Sequence, residues 1–223
     1  MPVAETTGSI LPIGRWVIEQ ACRQIRLWRD QGMVPPLMAV NISATQFKLA
    51  SELDRIVAES LAKFGVAPCA LELELTESVL METTHKHNEP IERLRRLGVR
   101  LAIDDFGTGY SSMSYLRRFP FDRIKIDKSF IDGLATQNES IEIVRAIVTL
   151  ASGLGMSTIA EGVESAIQVD KLRELGCDQI QGYVFLPPRP AADVAGLLAR
   201  KLERAENGAG VAENTKKVST NAA

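Results

Sequence analysis

The sequence predicts an α/β fold of the (β/α)8 TIM-barrel type, of which six βα units can be identified in this chain. Three observations lead to this prediction. Strand-like and helix-like segments alternate six times after an opening helix, which indicates parallel strands joined by right-handed crossovers. The strands alternate apolar and polar residues, so one face meets helices and the other a polar, enclosed space. Polar residues cluster where the strands end, at the edge where such barrels carry active sites.

The opening helix is predicted from its apolar spacing and its two ends. Pro12 suits a first helical position, because its missing N–H is not needed there. Gly32, followed by Pro35 and Pro36, ends the helix. Between these ends, apolar residues recur at steps of three and four along one face, namely Ile13, Val17, Ala21, Ile25 and Trp28.

Six short strands and six helices are then predicted in strict alternation. The strands are Leu37–Ser43, Ala70–Thr76, Val99–Asp105, Arg123–Asp127, Ser157–Glu161 and Gln179–Tyr183. The helices are Leu53–Phe64, Pro90–Leu97, Ser112–Arg118, Ser140–Gly153, Ala166–Leu175 and Ala191–Arg204. A complete barrel needs eight strands and about 250 residues, so the six units fall short of closure.

The second strand shows the alternation most clearly. Leu71, Leu73 and Leu75 fall on one side, whereas Glu72 and Glu74 fall on the other. We expect the leucines to pack against helices and the glutamates to face the barrel interior.

We predict structural instead of functional roles for two groups of charged residues. Glu72 is expected to form an ion pair with a neighbouring lysine inside the barrel. The basic run of Arg117, Arg118 and Arg123 is expected to lie on solvated surfaces.

Acids and amides at the strand ends predict a binding or catalytic site. They are Asn41, Glu74, Asp104, Asp105, Glu161 and Gln181. Acids in close quarters repel one another unless a cation neutralises them or some stay protonated. Oxygen donors without Cys or His favour Mg²⁺ or Mn²⁺, with Ca²⁺ left open. The neighbours Asp104 and Asp105 allow one carboxylate to bridge two ions, as in displacement at phosphorus.

Lys125 is predicted to face the same site from the fourth strand. It can supply positive charge to a phosphate oxygen or orient an attacking water. Each polar residue has a structural alternative when it is taken singly; Asn41, for example, can cap a turn. Five strand ends carrying such groups together favour a functional site.

Composition and charge exclude several other classes of protein. Hydrophobic residues make up 45% of the chain, and 26 basic against 28 acidic residues give a net charge of −2. We therefore expect neither DNA binding nor membrane contact from this chain.

The three scattered cysteines favour a reducing, cytoplasmic location. Residues 1–205 are predicted to form one barrel domain, and the small, polar residues 206–223 a disordered tail.

The chain resembles the EAL domain, a bacterial cyclic di-GMP phosphodiesterase. The resemblance is carried by segments in the family's order, from about Val3 to Leu198. They are Val40-Asn41-Ile42-Ser43, Glu74-Leu75-Thr76-Glu77, Asp104-Asp105-Phe106-Gly107-Thr108-Gly109, Lys125-Ile126-Asp127, Ala160-Glu161-Gly162-Val163-Glu164, and Gln181-Gly182-Tyr183-Val184-Phe185 with Pro187.

The resemblance implies roles for the matching residues and two metal ions per site, Mg²⁺ or Mn²⁺. Asn41, Glu74 and Asp104 would hold one ion, with Asp104 and Asp105 serving the second. Lys125 would hold the attacking water. The remaining assignments are Glu161 as general base or second-metal ligand, Glu77 as anchor of the Asp-Phe-Gly loop, and Gln181 and Glu164 in the substrate pocket.

The sequence departs from the family at the motif that names it. The family's Glu-Ala-Leu segment, which supplies a metal-binding glutamate, has no match here, and the resemblance implies that the first two strands are missing. We therefore expect little hydrolysis from this chain alone. Unpaired first and last strands favour association, so a homodimer is one expected state. A longer parent protein with a sensory or diguanylate cyclase domain is another expected context.

Three alternatives to an active phosphodiesterase remain open. The chain can be an inactive module that binds cyclic di-GMP or a protein partner in signalling. It can be a fragment of a longer protein. The third alternative is a barrel aldolase with Lys125 as the Schiff base, which the neighbouring acids disfavour.

Overall fold

Six parallel strands form one sheet in the computed structural model, which describes residues 2–33, 37–83, 89–108, 116, 119 and 121–198. Each strand pairs with the next one along the chain, in the order β1 to β6. The strands are β1 Met38–Ile42, β2 Leu71–Thr76, β3 Arg100–Phe106, β4 Arg123–Ile126, β5 Ser157–Ala160 and β6 Gln179–Ile180. Sequential parallel pairing of this kind is the strand order of a βα barrel.

Helices connect the strands and cover the outer face of the sheet. They are α1 Pro2–Thr6, α2 Ile10–Asp30, α3 Ala44–Lys48, α4 Ala50–Phe64, α5 Glu77–Thr83, α6 Glu89–Arg96, α7 Lys128–Asp132, α8 Asn138–Gly153 and α9 Ala166–Glu174. The chain is helical again at 191–198, which we call α10. In the ranges that the structure describes, no helix is both long and apolar enough to cross a membrane.

The opening helix α2 packs its apolar stripe against α4 and β1. Of the predicted stripe, Ala21, Ile25 and Trp28 are buried and Val17 is half-buried. Ile13 is 44% exposed, and Ile18, which the predicted stripe omitted, is buried in its place. At Gly14 the side chain of Gln46 comes so close that a Cβ would stand 1.9 Å from its Nε2 atom. An alanine at this position would therefore require the buried Gln46 side chain to move.

The two faces of β2 confirm the predicted alternation. Leu71, Leu73 and Leu75 are fully buried in the hydrophobic core, on the helix side. Glu72 and Glu74 face a concave cavity of about 630 Å³. Its lining comes from every strand, including Ala39, Glu72, Glu74, Arg100, Arg123, Ile159 and Gln179. Because β1 and β6 line one cavity, the sheet curves around it as a barrel wall does.

The ion pair predicted for Glu72 exists, but the partner is an arginine. Arg123 Nη1 donates to Glu72 Oε1 at 2.9 Å, and Arg123 Nε donates to Ser157 Oγ at 3.3 Å. Arg123 is only 8% exposed, so its assignment to a solvated surface was wrong. Side chains two residues apart on a strand point to the same face. Arg123 lies two residues before Lys125 on β4 and therefore shares its inward face.

Several predicted boundaries shift and some short helices were missed. β6 ends at Ile180 instead of Tyr183, because the chain turns at Gly182, where Phe185 N donates to its carbonyl at 3.2 Å. The helices α1, α3, α5 and α7 have only five to seven residues, too few for a periodic pattern. The predicted helix Ser112–Arg118, apart from residue 116, lies outside the described residues, as do the end of the last helix and the tail 206–223.

Candidate active site

Lys125 stands at the centre of three carboxylates. Its Nζ atom lies 2.7 Å from Glu74 Oε2, 2.9 Å from Asp104 Oδ1 and 2.8 Å from Glu161 Oε1. The lysine side chain is only 6% exposed, and the Glu161 side chain is the most open of the four at 23%. We call these four residues the Lys125 cluster. It brings together, around one ammonium group, acids that the sequence placed on three separate strand ends.

The sheet explains why these four side chains meet. Glu74, Asp104 and Lys125 lie towards the carboxyl ends of three consecutive strands, β2, β3 and β4, and Glu161 directly follows β5. Glu161 N donates to the carbonyl of Ile126 at 3.2 Å, which carries the pairing of β4 and β5 one residue further. Inward-facing residues at the same edge of parallel strands necessarily converge.

The electrostatics of the cluster follow from its composition. Burial raises the pKa of Glu74 and of Glu161, and the hydrogen bonds from Lys125 only partly oppose that rise. For Lys125, burial acts to lower the pKa, but hydrogen bonds to Glu161, Glu74 and Asp104 outweigh it, so the pKa is raised. Three carboxylates and one ammonium leave an excess of negative charge, which favours any added proton or cation.

Asp105 adjoins the cluster in an unusual backbone conformation. Its φ of 53° is left-handed, and its backbone N–H donates to Asp104 Oδ1 at 3.0 Å. Desolvation, with the charges of Asp104 and Asp127, raises the pKa of the Asp105 carboxyl. Asp127 also caps α7, because its side chain accepts from Ser129 N at 3.0 Å.

Asp127 belongs to the site but was not selected from the sequence. It directly follows β4, two residues after Lys125, and so continues the inward side of that strand; this alternation is the signal that could have found it.

Glu77 holds the turn that follows Asp105. Glu77 is buried at the start of α5, and its Oε2 atom accepts from Gly107 N at 3.1 Å. Gly107 has a φ of 96°, and a Cβ there would lie 2.9 Å from the ring of Phe130. The turn therefore depends on glycine and on the Glu77 carboxylate.

Asn41 opens onto a second cavity, of about 540 Å³, beside the cluster. It lies opposite Glu74 in the register of β1 and β2, and the cavity is also lined by Thr76, Asp104 and Asp105. The lining offers amide, hydroxyl and carboxylate oxygens, the donor chemistry that Mg²⁺ and Mn²⁺ prefer. The donor set thus fits a hard divalent cation.

The carboxylates are nevertheless gathered on an ammonium group. Among the described residues, no group of three or more His, Cys, Asp or Glu side chains is arranged as a metal-binding cluster. Instead, Glu74, Asp104 and Glu161 each direct one oxygen at Lys125 Nζ.

The two residues predicted for a substrate pocket lie apart from the cluster's centre. Gln181 lines the concave cavity, and its backbone N–H donates to Ala160 at 2.8 Å. Glu164 is half exposed and pairs with Lys128 across the loop that contains Gly162.

Parallel strands in chain order, with acids and a lysine at their carboxyl ends, define a βα-barrel type of protein with its site at the carboxyl rim. A model of the EAL domain matches residues 1–188. The chain belongs to the EAL domain family.

Two curated relatives illustrate the similarity. The signaling protein YkoW of Bacillus subtilis is 46% identical over 188 residues, which cover 84% of this chain and 23% of YkoW. The bifunctional diguanylate cyclase/cyclic di-GMP phosphodiesterase MucR of Pseudomonas aeruginosa is 43% identical over 199 residues, or 89% of this chain and 29% of MucR. The chain thus spans about a quarter of the length of these relatives.

Solved structures share the same architecture. The PaMucR phosphodiesterase in complex with c-di-GMP superposes with a TM-score of 0.82 at 44% identity, covering 86% of this chain and 78% of that one. The Klebsiella pneumoniae BlrP1 complex with manganese and cyclic di-GMP gives a TM-score of 0.66 at 27% identity, over 76% of this chain and 42% of that one.

Proposed function

We propose that this chain carries a cyclic di-GMP phosphodiesterase site whose reaction is the hydrolysis of cyclic di-GMP to linear pGpG, and that the chain alone turns over slowly because its sequence contains no Glu-Ala-Leu segment. The observation that carries the proposal is the Lys125 cluster, in which Glu74, Asp104 and Glu161 surround a buried ammonium at the carboxyl rim. The name of MucR and the c-di-GMP bound to PaMucR support the choice of substrate.

Divalent cations, Mg²⁺ or Mn²⁺, are part of the proposal. Asn41, Glu74 and Asp104 would hold one ion, and Asp104 with Asp105 would serve a second. When bound, such ions polarise phosphoryl oxygens and lower the pKa of water. The oxygen donors of Asn41, Thr76, Asp104 and Asp105 around the Asn41 cavity and the manganese in BlrP1 support this assignment.

The chain's own groups would divide the remaining work. The Glu161 carboxylate would accept the proton of the attacking water, a role that suits a carboxyl whose pKa burial has raised. Lys125 Nζ would orient that water and stabilise negative charge on the phosphate. Glu77 would hold the turn that carries Asp105 through its bond to Gly107 N.

The outer rim would contact the two nucleotides. Gln181 lines the concave cavity and Glu164 stands on the exposed rim. The amide of Gln181 and the carboxylate of Glu164 would offer hydrogen bonds to the nucleotides. Neither would take part in breaking the phosphodiester bond.

The direct test is to incubate the chain with cyclic di-GMP and Mn²⁺ and to quantify pGpG by chromatography. Turnover by the wild type is expected to fall roughly 10²–10⁴-fold in Glu161→Gln, because the proton acceptor is lost. Glu59→Gln, on an exposed face of α4, is the control and should keep wild-type turnover. Equal turnover in the wild type and Glu161→Gln would reject the assigned base.

A binding module without hydrolysis is the second candidate. Two observations favour it: the sequence contains no Glu-Ala-Leu triplet, and the described carboxylates are gathered on Lys125 with no metal-binding group among them. Calorimetric titration with cyclic di-GMP would then show saturable binding while no pGpG forms. The absence of binding at high micromolar ligand would exclude this candidate.

The names of the relatives also bear on the chain's partners. MucR combines the phosphodiesterase with a diguanylate cyclase, and this chain spans less than a third of it. We propose the same context, a cyclase or sensory domain in one longer polypeptide. A homodimer is proposed as well, and light scattering of the purified chain would test it.

A further inference from the structure

We propose that Lys125 is a built-in counterion of the carboxylate cluster and that it competes with a divalent cation for the negative charge of the Glu74 and Asp104 carboxylates. The inference rests on the proposed function, because it concerns the metal site assigned there. It adds a second role to Lys125: the lysine keeps the acids together while no metal is bound.

All three N–H groups of the Lys125 ammonium are directed at carboxylates of the cluster. Lys125 Nζ has carboxylate oxygens at 2.7, 2.8 and 2.9 Å, one from each of Glu74, Glu161 and Asp104. An ammonium group has three N–H bonds, so these contacts use its full donor capacity. The lysine is 6% exposed, so water contributes little to its solvation.

Two of these three carboxylates, Glu74 and Asp104, are also the ones proposed to hold a metal ion. Without a neighbouring cation, three carboxylates in one partly buried site would repel one another strongly. Lys125 removes that repulsion without metal, so the site does not depend on metal to fold. An ion held by Glu74 and Asp104 would bind next to Lys125 Nζ, and repulsion between the two cations weakens metal binding in the wild type.

The chain contains a matched control on the same strand. Arg123 is also an inward-facing buried cation on β4, two residues before Lys125, but it pairs with one carboxylate, that of Glu72. Replacing Arg123 with methionine leaves one buried acid unpaired, outside the proposed metal site. Replacing Lys125 with methionine leaves three acids without a counterion, and two of them, Glu74 and Asp104, are proposed metal ligands.

The test is thermal unfolding of the full chain, Lys125→Met and Arg123→Met, first in EDTA and then with Mn²⁺ alone. In EDTA both variants should unfold below the wild type, Lys125→Met by more. Mn²⁺ at about a hundred times its Kd should raise the midpoint of Lys125→Met by roughly 5–10 °C. The wild type should gain less than half of that shift at the same concentration, and Arg123→Met no more than the wild type.

Each contrary outcome has a defined meaning. A Mn²⁺ shift in Lys125→Met that is no larger than in the wild type overturns the competition. A smaller loss in EDTA for Lys125→Met than for Arg123→Met overturns the counterion role. No Mn²⁺ shift in any of the three proteins counts against the proposed metal site itself, and therefore against the metal-dependent function.

A double variant keeps the test decisive if Lys125→Met fails to fold. If Lys125→Met does not fold in EDTA, adding Glu74→Gln removes one acid and should restore folding. If the double variant is no more stable than the single one, charge repulsion is not the cause and the inference is overturned.

Discussion

Gly182 brings the end of β6 into backbone contact with the loop after β5. A Cβ at this position would stand 2.0 Å from the carbonyl oxygen of Val163 and 2.3 Å from its nitrogen. Val163 N donates to Gln181 at 3.1 Å, and Val184 N donates to Val163 at 3.0 Å. These bonds hold the rim beside Glu161, so the site depends on the absence of a side chain at Gly182.

Gly182→Ala is expected to destabilise the protein by about 3 kcal/mol, because the methyl group must push two hydrogen-bonded backbones apart. Urea unfolding measures the loss. Gly153→Ala is the control: Gly153 ends α8 with open space around its Cβ position, so alanine should stabilise by about 0.5 kcal/mol. Similar effects of the two substitutions would contradict this account.

At the scale of elements, α9 is fixed by its first turn. The Ser165 hydroxyl accepts from Gln168 N at 3.3 Å, and Gln168 Oε1 accepts from Ser165 N at 3.0 Å, which completes a capping box. Gln168 Nε2 also donates to the carbonyl of Ile131 in α7 at 3.1 Å. One cap therefore ties the helix after β5 to the helix after β4.

Ser165→Ala is expected to lower stability by about 1 kcal/mol, because a helix N–H loses its acceptor. Ser9 precedes α2 but its side chain makes no capping bond, so Ser9→Ala should change stability by less than about 0.5 kcal/mol. Chemical denaturation of the two variants in parallel tests the difference, and equal losses would show that the cap does not stabilise α9.

Long periodic elements could be predicted from sequence, and short ones could not. Helix α8, between β4 and β5, was predicted as Ser140–Gly153 and is observed as Asn138–Gly153. It could be predicted because its apolar stripe repeats over four turns. The seven-residue α5 was missed, since neither its length nor its composition separates it from a loop. β6 was predicted too long because Gly182 turns the chain away.

The alternation of residues along each strand correctly predicted which site residues face the barrel interior. Alternation placed Glu74 and Lys125 inward, and both are. This alternation does not identify the ion-pair partner of each charged side chain. The partner depends on the register between strands that are far apart in sequence. Glu72 accordingly pairs with Arg123 instead of a lysine, and the effect of Asp127 on the Asp105 carboxyl was missed.

At the scale of the whole molecule, the barrel interior carries ionised groups that folding removes from water. Burial raises the pKa of Glu72, and the charges of Arg123 and Arg100 oppose that rise only in part. A raised carboxyl pKa means that the folded protein binds the proton more tightly than the unfolded chain does. Stability from this group is therefore greatest below the usual pKa of 4.5 and is lost as the pH rises through the raised value.

Wild-type stability is therefore expected to increase relative to Glu72→Gln as the pH is lowered from 7 towards 4.5. The glutamine cannot take up a proton, so the difference between the two unfolding free energies isolates Glu72. Denaturant titrations at several pH values measure it. A constant difference across this range, or one that changes in the opposite direction, would contradict a raised pKa.

The sequential pairing of β1 to β6 also sets an order of assembly during synthesis. A chain leaves the ribosome from its N-terminus, and here each new strand pairs with the strand made just before it. Glu74 and Asp104 emerge first, Lys125 follows, and Glu161 comes last. We therefore expect the ammonium to reach a pair of acids before the third arrives, so that the nascent chain never has to hold three uncompensated carboxylates in one place.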